Sequence, residues 1–350
     1  MDKPSLKSKD SKIRIIIVDD SKIIRETLKK ELSKEPGIEV IAVAEDAYIA
    51  RDLIVKLRPD AITLDLQMPK MGGLEFIGIL MKHWPLPIVV FSSIADNRDV
   101  CLEALKLGAV DIVLKPSASK LGEFSRAMER LKYILLNTRE VKLNAGVIKG
   151  DSIKVTTSRL FAKEKVIAIG ASTGGTEAVR NVLMSFPESS PGVLVTQHMP
   201  KEFTKSFASR LDQLCPNLQI REATHGEELL AGNVLIAPGD HHMLLRKVEK
   251  RYFVDIRRGP LVNRHRPAVD VTFFSVAECA GRNAIGALLT GMGADGAKGL
   301  LEMKNAGSMT IVQDEATSVV YGMPRAAVKL GAACHEVPLE KVASTIFKYV

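Results

Sequence analysis

Two groups of residues in this 350-residue chain are of types, and in settings, that support chemistry. In the front third, the acidic pair Asp19-Asp20 follows the apolar run Ile13–Val18, and Asp65, Ser92 and Lys115 close later runs of the same kind. Crowded carboxylates repel one another, and a hard cation is the natural compensation. Mg²⁺ takes one or two carboxylates together with water and phosphate oxygens. Asp65 could then attack a phosphoryl group. Lys115 would pair with the carboxylate or the new phosphate, and Ser92 would donate a hydrogen bond to it. In the back half, Gly170-Ala171-Ser172-Thr173-Gly174 fits G-x-S-x-G, a strand-to-helix turn that presents a serine. The helix N-terminus behind it offers N–H groups to developing negative charge. A serine hydroxyl needs an adjacent base, and His198 follows the next strand-like run. A carboxylate that holds an imidazole in its useful tautomer is available at Asp295, in a Gly-rich turn after another apolar run. Each residue alone has an ordinary alternative. A strand-terminal Asp caps a helix, Lys115-Pro116 makes a turn, a glycine-rich turn binds a nucleotide phosphate or merely connects, and a single His is structural.

These residues need elements to hold them. Residues 13–120 alternate strand-like runs with helix-period segments: strands at Ile13–Val18, Glu39–Ala44, Ala61–Leu64, Ile88–Phe91 and Asp111–Leu114, with helices between them. Ser21 is placed to cap the first helix, whose inner side would carry Ile23, Ile24, Thr27 and Leu28. Uninterrupted Ile/Val runs fit strands covered on both faces of a parallel sheet. The alternation predicts a five-stranded, doubly wound domain, with a further helix from Leu121 to Asn137. From residue 164 the α/β pattern resumes, with strands at Lys165–Ile169, Gly192–Thr196, Ala284–Thr290 and Met309–Val312. A hairpin is expected through Leu244–Ile256, helices at Thr176–Met184, Phe203–Leu214, Ala268–Ala280 and Ala297–Ala306, and a terminal helix over Glu336–Val350. The division is therefore a disordered extension at 1–11, a first domain at 12–137, a linker at 138–163 and a second domain at 164–350. The chain order Ser…His…Asp differs from the Ser…Asp…His of α/β-hydrolases, which points to another α/β fold carrying similar chemistry.

Composition bounds the reading. With 46% hydrophobic residues the chain can bury ordinary cores. Its apolar runs are strand-sized, short of the roughly 20 residues a membrane span needs, and the charged N-terminus lacks an apolar signal core. Four well-separated cysteines (Cys101, Cys215, Cys279, Cys334) read as free thiols in a reducing cytoplasm. The net charge of +8 is not spread evenly: residues 1–125 carry 19 basic and 19 acidic residues, residues 126–163 carry nine and three, and residues 164–350 carry 21 and 19. The excess sits in the middle segment and reads as a solvated basic linker, or as a contact for an acidic partner. No nucleic-acid-binding feature is evident.

The ordered set Val18-Asp19-Asp20-Ser21, Asp65-Leu66-Gln67-Met68-Pro69-Lys70-Met71-Gly72-Gly73, Ser92-Ser93 and Lys115-Pro116 resembles the two-component receiver domain over roughly residues 12–135. The resemblance implies phosphorylation of Asp65. It implies Mg²⁺ held by Asp20, Asp65 and the Gln67 carbonyl with Asp19 nearby, and readout of the phosphoryl group by Ser92 and Lys115. Val113 stands in the neighbourhood where that family commonly has a switch aromatic.

A second resemblance covers residues 164–350. Ile169-Gly170-Ala171-Ser172-Thr173-Gly174-Gly175, Gln197-His198-Met199-Pro200, Ala237-Pro238-Gly239, Asn263–Asp270 and Leu289–Gly296 resemble the chemotaxis protein-glutamate methylesterase family. It implies that Ser172 attacks the methyl ester of a receptor glutamate, His198 takes the serine proton and later activates water, and Asp295 orients His198. Thr173 and the Met292 backbone N–H become candidates for the oxyanion site, and the same acyl intermediate would serve glutamine deamidation. It implies methyl-accepting chemotaxis receptors as substrate, a chemotaxis histidine kinase as phosphodonor and no cofactor beyond the receiver's Mg²⁺. It also implies a receiver that hinders access until phosphorylated. A cytoplasmic monomer without membrane insertion is expected. Arg264, His265 and Arg266 could hold an acidic receptor segment or be structural. The competing readings are a receiver-controlled, non-catalytic binding module and a DNA-binding response regulator; the latter requires a C-terminal helix-turn-helix in place of the βα pattern seen here.

Overall fold

A computed structural model describes residues 11–93, 98–116, 121–143 and 164–350. Residues 1–10 of the expected extension and 144–163 of the expected linker lie outside them. The chain divides into two units, Met1–Leu143 and Asn144–Val350.

In the first unit the strands are β1 (Ile13–Val18), β2 (Ile38–Ala44), β3 (Ala61–Leu64), β4 (Ile88–Ser92) and β5 (Asp111–Leu114). The helices are α1 (Lys22–Leu32), α2 (Ala47–Leu57), α3 (Gly73–His83), α4 (Arg98–Lys106) and α5 (Leu121–Leu136). The sheet runs in the order β2-β1-β3-β4-β5 and every pairing is parallel. Ile15, Ile16 and Ile17 on β1 are all fully buried. Helices cover both faces of a doubly wound sheet, so successive residues of its central strand are apolar rather than alternating.

Two local expectations are corrected. Ser21 does precede α1, but its side chain makes no cap bond; its backbone N–H instead donates to Asp19 Oδ1 at 2.9 Å. Ile23 was expected on the inner side and is 75% exposed, while Leu28 and Leu32 are buried. The helix repeat explains this: positions 24, 28 and 32 share one face, and position 23 is turned about 100° away from it. Beyond α5, the turn Thr138–Glu140 stays with this unit, since Thr138 is buried and Arg139 donates to Ser11 and to the Lys12 carbonyl.

In the second unit the main sheet has seven parallel strands: β6 (Val166–Ala171), β7 (Gly192–Gln197), β8 (Gln219–Glu222), β10 (Asn233–Ile236), β13 (Ala284–Leu288), β14 (Met309–Gln313) and β15 (His335–Val337). Their order is β15-β14-β13-β6-β7-β10-β8. The chain winds outward from β6 in one direction, then returns to lay β13, β14 and β15 on the other side. The switch point lies between β6 and β13, and crevices for ligands form at the carboxyl ends of strands there. Antiparallel β11 (His242–Val248) and β12 (Arg251–Arg257), with β9 (Glu227–Glu228), make a small separate sheet. The helices are α6 (Gly175–Leu183), α7 (Lys201–Leu214), α8 (Val269–Ala280), α9 (Ala297–Asn305), α10 (Met323–Lys329) and α11 (Leu339–Ile346). The terminal segment is thus an edge strand before a short helix, where the sequence suggested helix throughout. His335–Val337 is too short to display a period. The core gathers α8, α9 and the small sheet around β6 and β13 through Phe273, Val269, Leu288, Leu300, Met303 and Val254.

Candidate active site

Ser172 follows β6, His198 follows β7, and Asp295 lies in the turn between β13 and α9. These strands are neighbours, with β6 paired to β7 on one side and to β13 on the other. Three residues spread over 124 positions therefore meet at adjacent strand ends. The turn after β6 is tight because Gly174 takes a φ of +76°. It is close-packed because a Cβ on Gly291 would stand 2.7 Å from Ser172 Cβ. Backbone bonds fix the turn: Ser172 N–H donates to the Thr290 carbonyl at 3.0 Å, and His198 N–H to the Ala171 carbonyl at 3.2 Å.

His198 Nδ1 lies 3.0 Å from Ser172 Oγ, and Nε2 lies 2.7 Å from Asp295 Oδ2. One tautomer satisfies both contacts. Nε2–H donates to the carboxylate, and Nδ1 accepts from the serine hydroxyl. The ring is turned the opposite way from the serine proteases, where Nε2 faces the hydroxyl. All three side chains are largely screened from solvent, with residue exposures of 8%, 6% and 2% in chain order.

Asp295 is the best-satisfied member. Besides His198 it accepts from Val269 N–H at 2.6 Å, Asp270 N–H at 3.2 Å and Asn263 Nδ2 at 2.7 Å. The helix it caps is α8, reached across the fold, rather than α9, which follows it in sequence. Burial alone would raise the Asp295 carboxyl. The hydrogen bond and charge of His198, with the Asn263 and Val269 donors, outweigh that and hold it down to about 2. Asp270 beside it is raised by burial and by the Asp295 charge. It accepts from Gly299 N–H at 2.7 Å and so ties α8 to α9.

Three further side chains touch this set. Gln197 Nε2 donates to the Ser172 carbonyl at 2.9 Å and to the His198 carbonyl at 3.2 Å, so one amide grips the backbones of both residues. Asn263 bridges Asp295 and Asp270. His265 stacks on His198. All three stand in the segments that carry the family resemblance, but composition and period give a Gln, an Asn and a second His no role. The signal is spatial.

The other expected site residues are placed as follows. Thr173 and Met292 are buried, and neither backbone N–H enters a backbone hydrogen bond among the described residues. Arg264 is exposed. Arg266 is taken up by Asp240, from the turn before β11, at 3.0 Å from Nε, and by the Gly259 carbonyl. Those contacts answer its charge locally and leave it poorly suited to hold a substrate carboxylate.

In the first unit, Asp19, Asp20 and Asp65 each bring a carboxylate oxygen within 4.8 Å of the others; Asp19 and Asp65 are buried and Asp20 is exposed. Lys115 Nζ bridges the buried pair, 2.8 Å from Asp19 Oδ2 and 2.5 Å from Asp65 Oδ2. Ser92 Oγ donates to Asp65 Oδ1 at 3.2 Å. Gln67 is exposed in the following loop, with its N–H 3.4 Å from the same oxygen. Burial raises the Asp19 carboxyl, Lys115 offsets part of this, and the Asp65 charge adds to it. Burial lowers the Lys115 ammonium, but its hydrogen bonds to Asp19 and Asp65 prevail and raise it. An all-oxygen set of this charge and spacing suits a hard divalent cation.

Comparison with known proteins finds both domains. Residues 167–346 match the family model for the CheB methylesterase, and residues 15–123 that for the response regulator receiver domain. A protein-glutamate methylesterase/protein-glutamine glutaminase 2 of Syntrophus aciditrophicus is 48% identical over 349 residues, covering 97% of this chain and all of the relative. One of Pseudomonas aeruginosa is 46% identical over 337 residues, covering 96% of each chain. Among solved structures, the Thermotoga maritima CheB methylesterase catalytic domain aligns with a TM-score of 0.52 at 38% identity, covering 53% of this chain and 98% of that one.

Proposed function

The chain belongs to the CheB methylesterase family, and from that membership we propose that Ser172, His198 and Asp295 hydrolyse glutamate methyl esters, and deamidate glutamines, on chemoreceptors. The observation that carries this reading is the pair of hydrogen bonds through His198, 3.0 Å to Ser172 Oγ and 2.7 Å to Asp295 Oδ2. As Ser172 Oγ attacks the ester carbonyl, its proton passes to Nδ1, and Asp295 stabilises the imidazolium through Nε2–H. The Thr173 and Met292 N–H groups are our candidates for the developing oxyanion. His198 returns the proton to the departing methoxide, and methanol leaves. It then takes a proton from water, whose oxygen attacks the acyl-serine; the bond to Ser172 Oγ breaks, His198 gives the proton to that oxygen, and glutamate is freed. An amide follows the same course with ammonia as leaving group. No cofactor is assigned to these steps. Exposed Arg264 is our candidate for contact with an acidic receptor segment.

In the receiver, Asp65 would accept a phosphoryl group from a chemotaxis histidine kinase, and that modification would raise esterase activity. Asp20, Asp65 and the Gln67 carbonyl, with Asp19 nearby, would hold Mg²⁺, which would offset the charge of the carboxylates and the incoming phosphate. Lys115 and Ser92 already reach the two Asp65 oxygens and would move to the phosphoryl group. The described residues include no helix long and apolar enough to cross a membrane, and this reading places the protein on the cytoplasmic side of its receptors. Methanol release from methylated receptor membranes tests this reading, with and without acetyl phosphate. Turnover in the parent chain and a fall on the order of 10⁶-fold in Ser172→Ala are expected. Substantial release by that variant would remove Ser172 from the chemistry.

A further inference from the structure

The tight turn Val262-Asn263-Arg264-His265 reaches the catalytic set twice. Val262 and His265 exchange both backbone hydrogen bonds, at 3.1 and 2.8 Å. Asn263 and Arg264 between them take left-handed φ values of 51° and 70°, as a two-residue type I′ turn requires. Asn enters that region at little cost because its short polar side chain bonds locally. Here its amide bonds Asp295 and Asp270, each at 2.7 Å. At the end of the turn the His265 ring lies almost parallel to His198, with centroids 3.6 Å apart and planes 6° from each other.

The two nitrogen atoms of His198 are held at its edge by Ser172 and Asp295. Those contacts define an axis along the ring edge, while the plane of the ring turns with χ2, the broad torsion about Cβ–Cγ. Turning swings the Nδ1 lone pair off the line to the hydroxyl, which weakens proton transfer steeply because hydrogen bonds are directional. A flat partner against the face removes that freedom. Asn263, locked in the same turn, fixes the carboxylate at the other end of the axis.

We propose that His265 is a positioning residue for this hydrolase: its ring clamps the plane of His198 and keeps Nδ1 aimed at Ser172. The proposal rests on the triad reading above. It makes flatness, rather than bulk or polarity, the property required at position 265. Phenylalanine supplies a flat face that also tolerates the imidazolium formed during turnover. Leucine fills similar space without it.

The test uses the full chain with His265→Ala, His265→Leu and His265→Phe. Two quantities are read: the rate at which a fluorophosphonate labels Ser172, and kcat and KM for methanol release from methylated receptor membranes. The Ala and Leu variants are expected to lose about tenfold or more in labelling rate and kcat, with KM nearly unchanged, while Phe stays within about threefold of the parent. The proposal is overturned if Leu performs as well as Phe, if Phe falls as far as Ala, if Ala matches the parent, or if the loss is confined to KM. Leu and Phe preserve the filled volume, so a poorly folded Ala variant leaves the deciding comparison intact. A parent chain that resists labelling would overturn the triad reading, and this proposal with it.

Discussion

A serine hydroxyl becomes a nucleophile only when its proton has somewhere to go, and the acceptor proposed for Ser172 is Nδ1 of His198, 3.0 Å away. The cost of that transfer is set by Asp295, whose carboxylate is gripped by four donors and lowered to about 2. Its folded-state pKa lies below the ordinary value of about 3.9. Its ionisation therefore stabilises the fold fully above that ordinary value, and the contribution is lost as pH falls toward 2. Asp295→Asn keeps the size and cannot titrate. Denaturant midpoints should fall between about pH 4 and pH 2 more steeply in the parent than in this variant. Its kcat should fall on the order of 10⁴-fold, with no recovery at higher pH, since the amide cannot hold the imidazolium. Equal acid sensitivity of the two proteins would show that Asp295 is not the ionised anchor inferred here. Ser172, His198 and Asp295 were legible because each closes an apolar run. Gln197 and His265 were not, since their role is a contact made across the fold.

Elements were read well where an uninterrupted apolar run gave a signal, as in β1, β3 and β5, whose bounds match the expected ones. They were read poorly where neighbours decide. Ile23 looks like core by composition and faces outward because the helix phase is set by Leu28 and Leu32. The close seating of β6 on α8 is another such case. Gly170 leaves room for Val269: a Cβ there would come within 2.3 Å of Val269 Cγ1 and 3.1 Å of Leu288 Cδ1. Val269 N–H is also a donor to Asp295. Gly170→Ala should therefore push the helix N-terminus away from the sheet, costing about 1–3 kcal/mol of stability. A displacement of even 1 Å could lower kcat by up to about 100-fold. Thermal melts and methanol-release assays check this, and an Ala variant with parental stability and turnover would show that the packing yields.

At the scale of the whole molecule, two units with separate chemistry lie on one chain. If Asp65 is the phosphoryl acceptor that governs the esterase, Asp65→Asn should keep unstimulated turnover and lose any rise on addition of acetyl phosphate and Mg²⁺. A truncated chain of residues 164–350 should turn over without a phosphodonor. Stimulation that survives Asp65→Asn would place the acceptor elsewhere, and a truncated chain that folds without activity would rule out relief of hindrance as the mode of control. Period, apolar run length and strand-end position are properties of neighbouring residues, so the amino-acid order alone was enough for the α/β class, the two units and the triad candidates. Which ring nitrogen faces the serine, the capping of α8 by a carboxylate from another turn, the local neutralisation of Arg266 and the His265 stack all depend on distances between residues remote in the chain. Only the packing of strands and helices sets those distances.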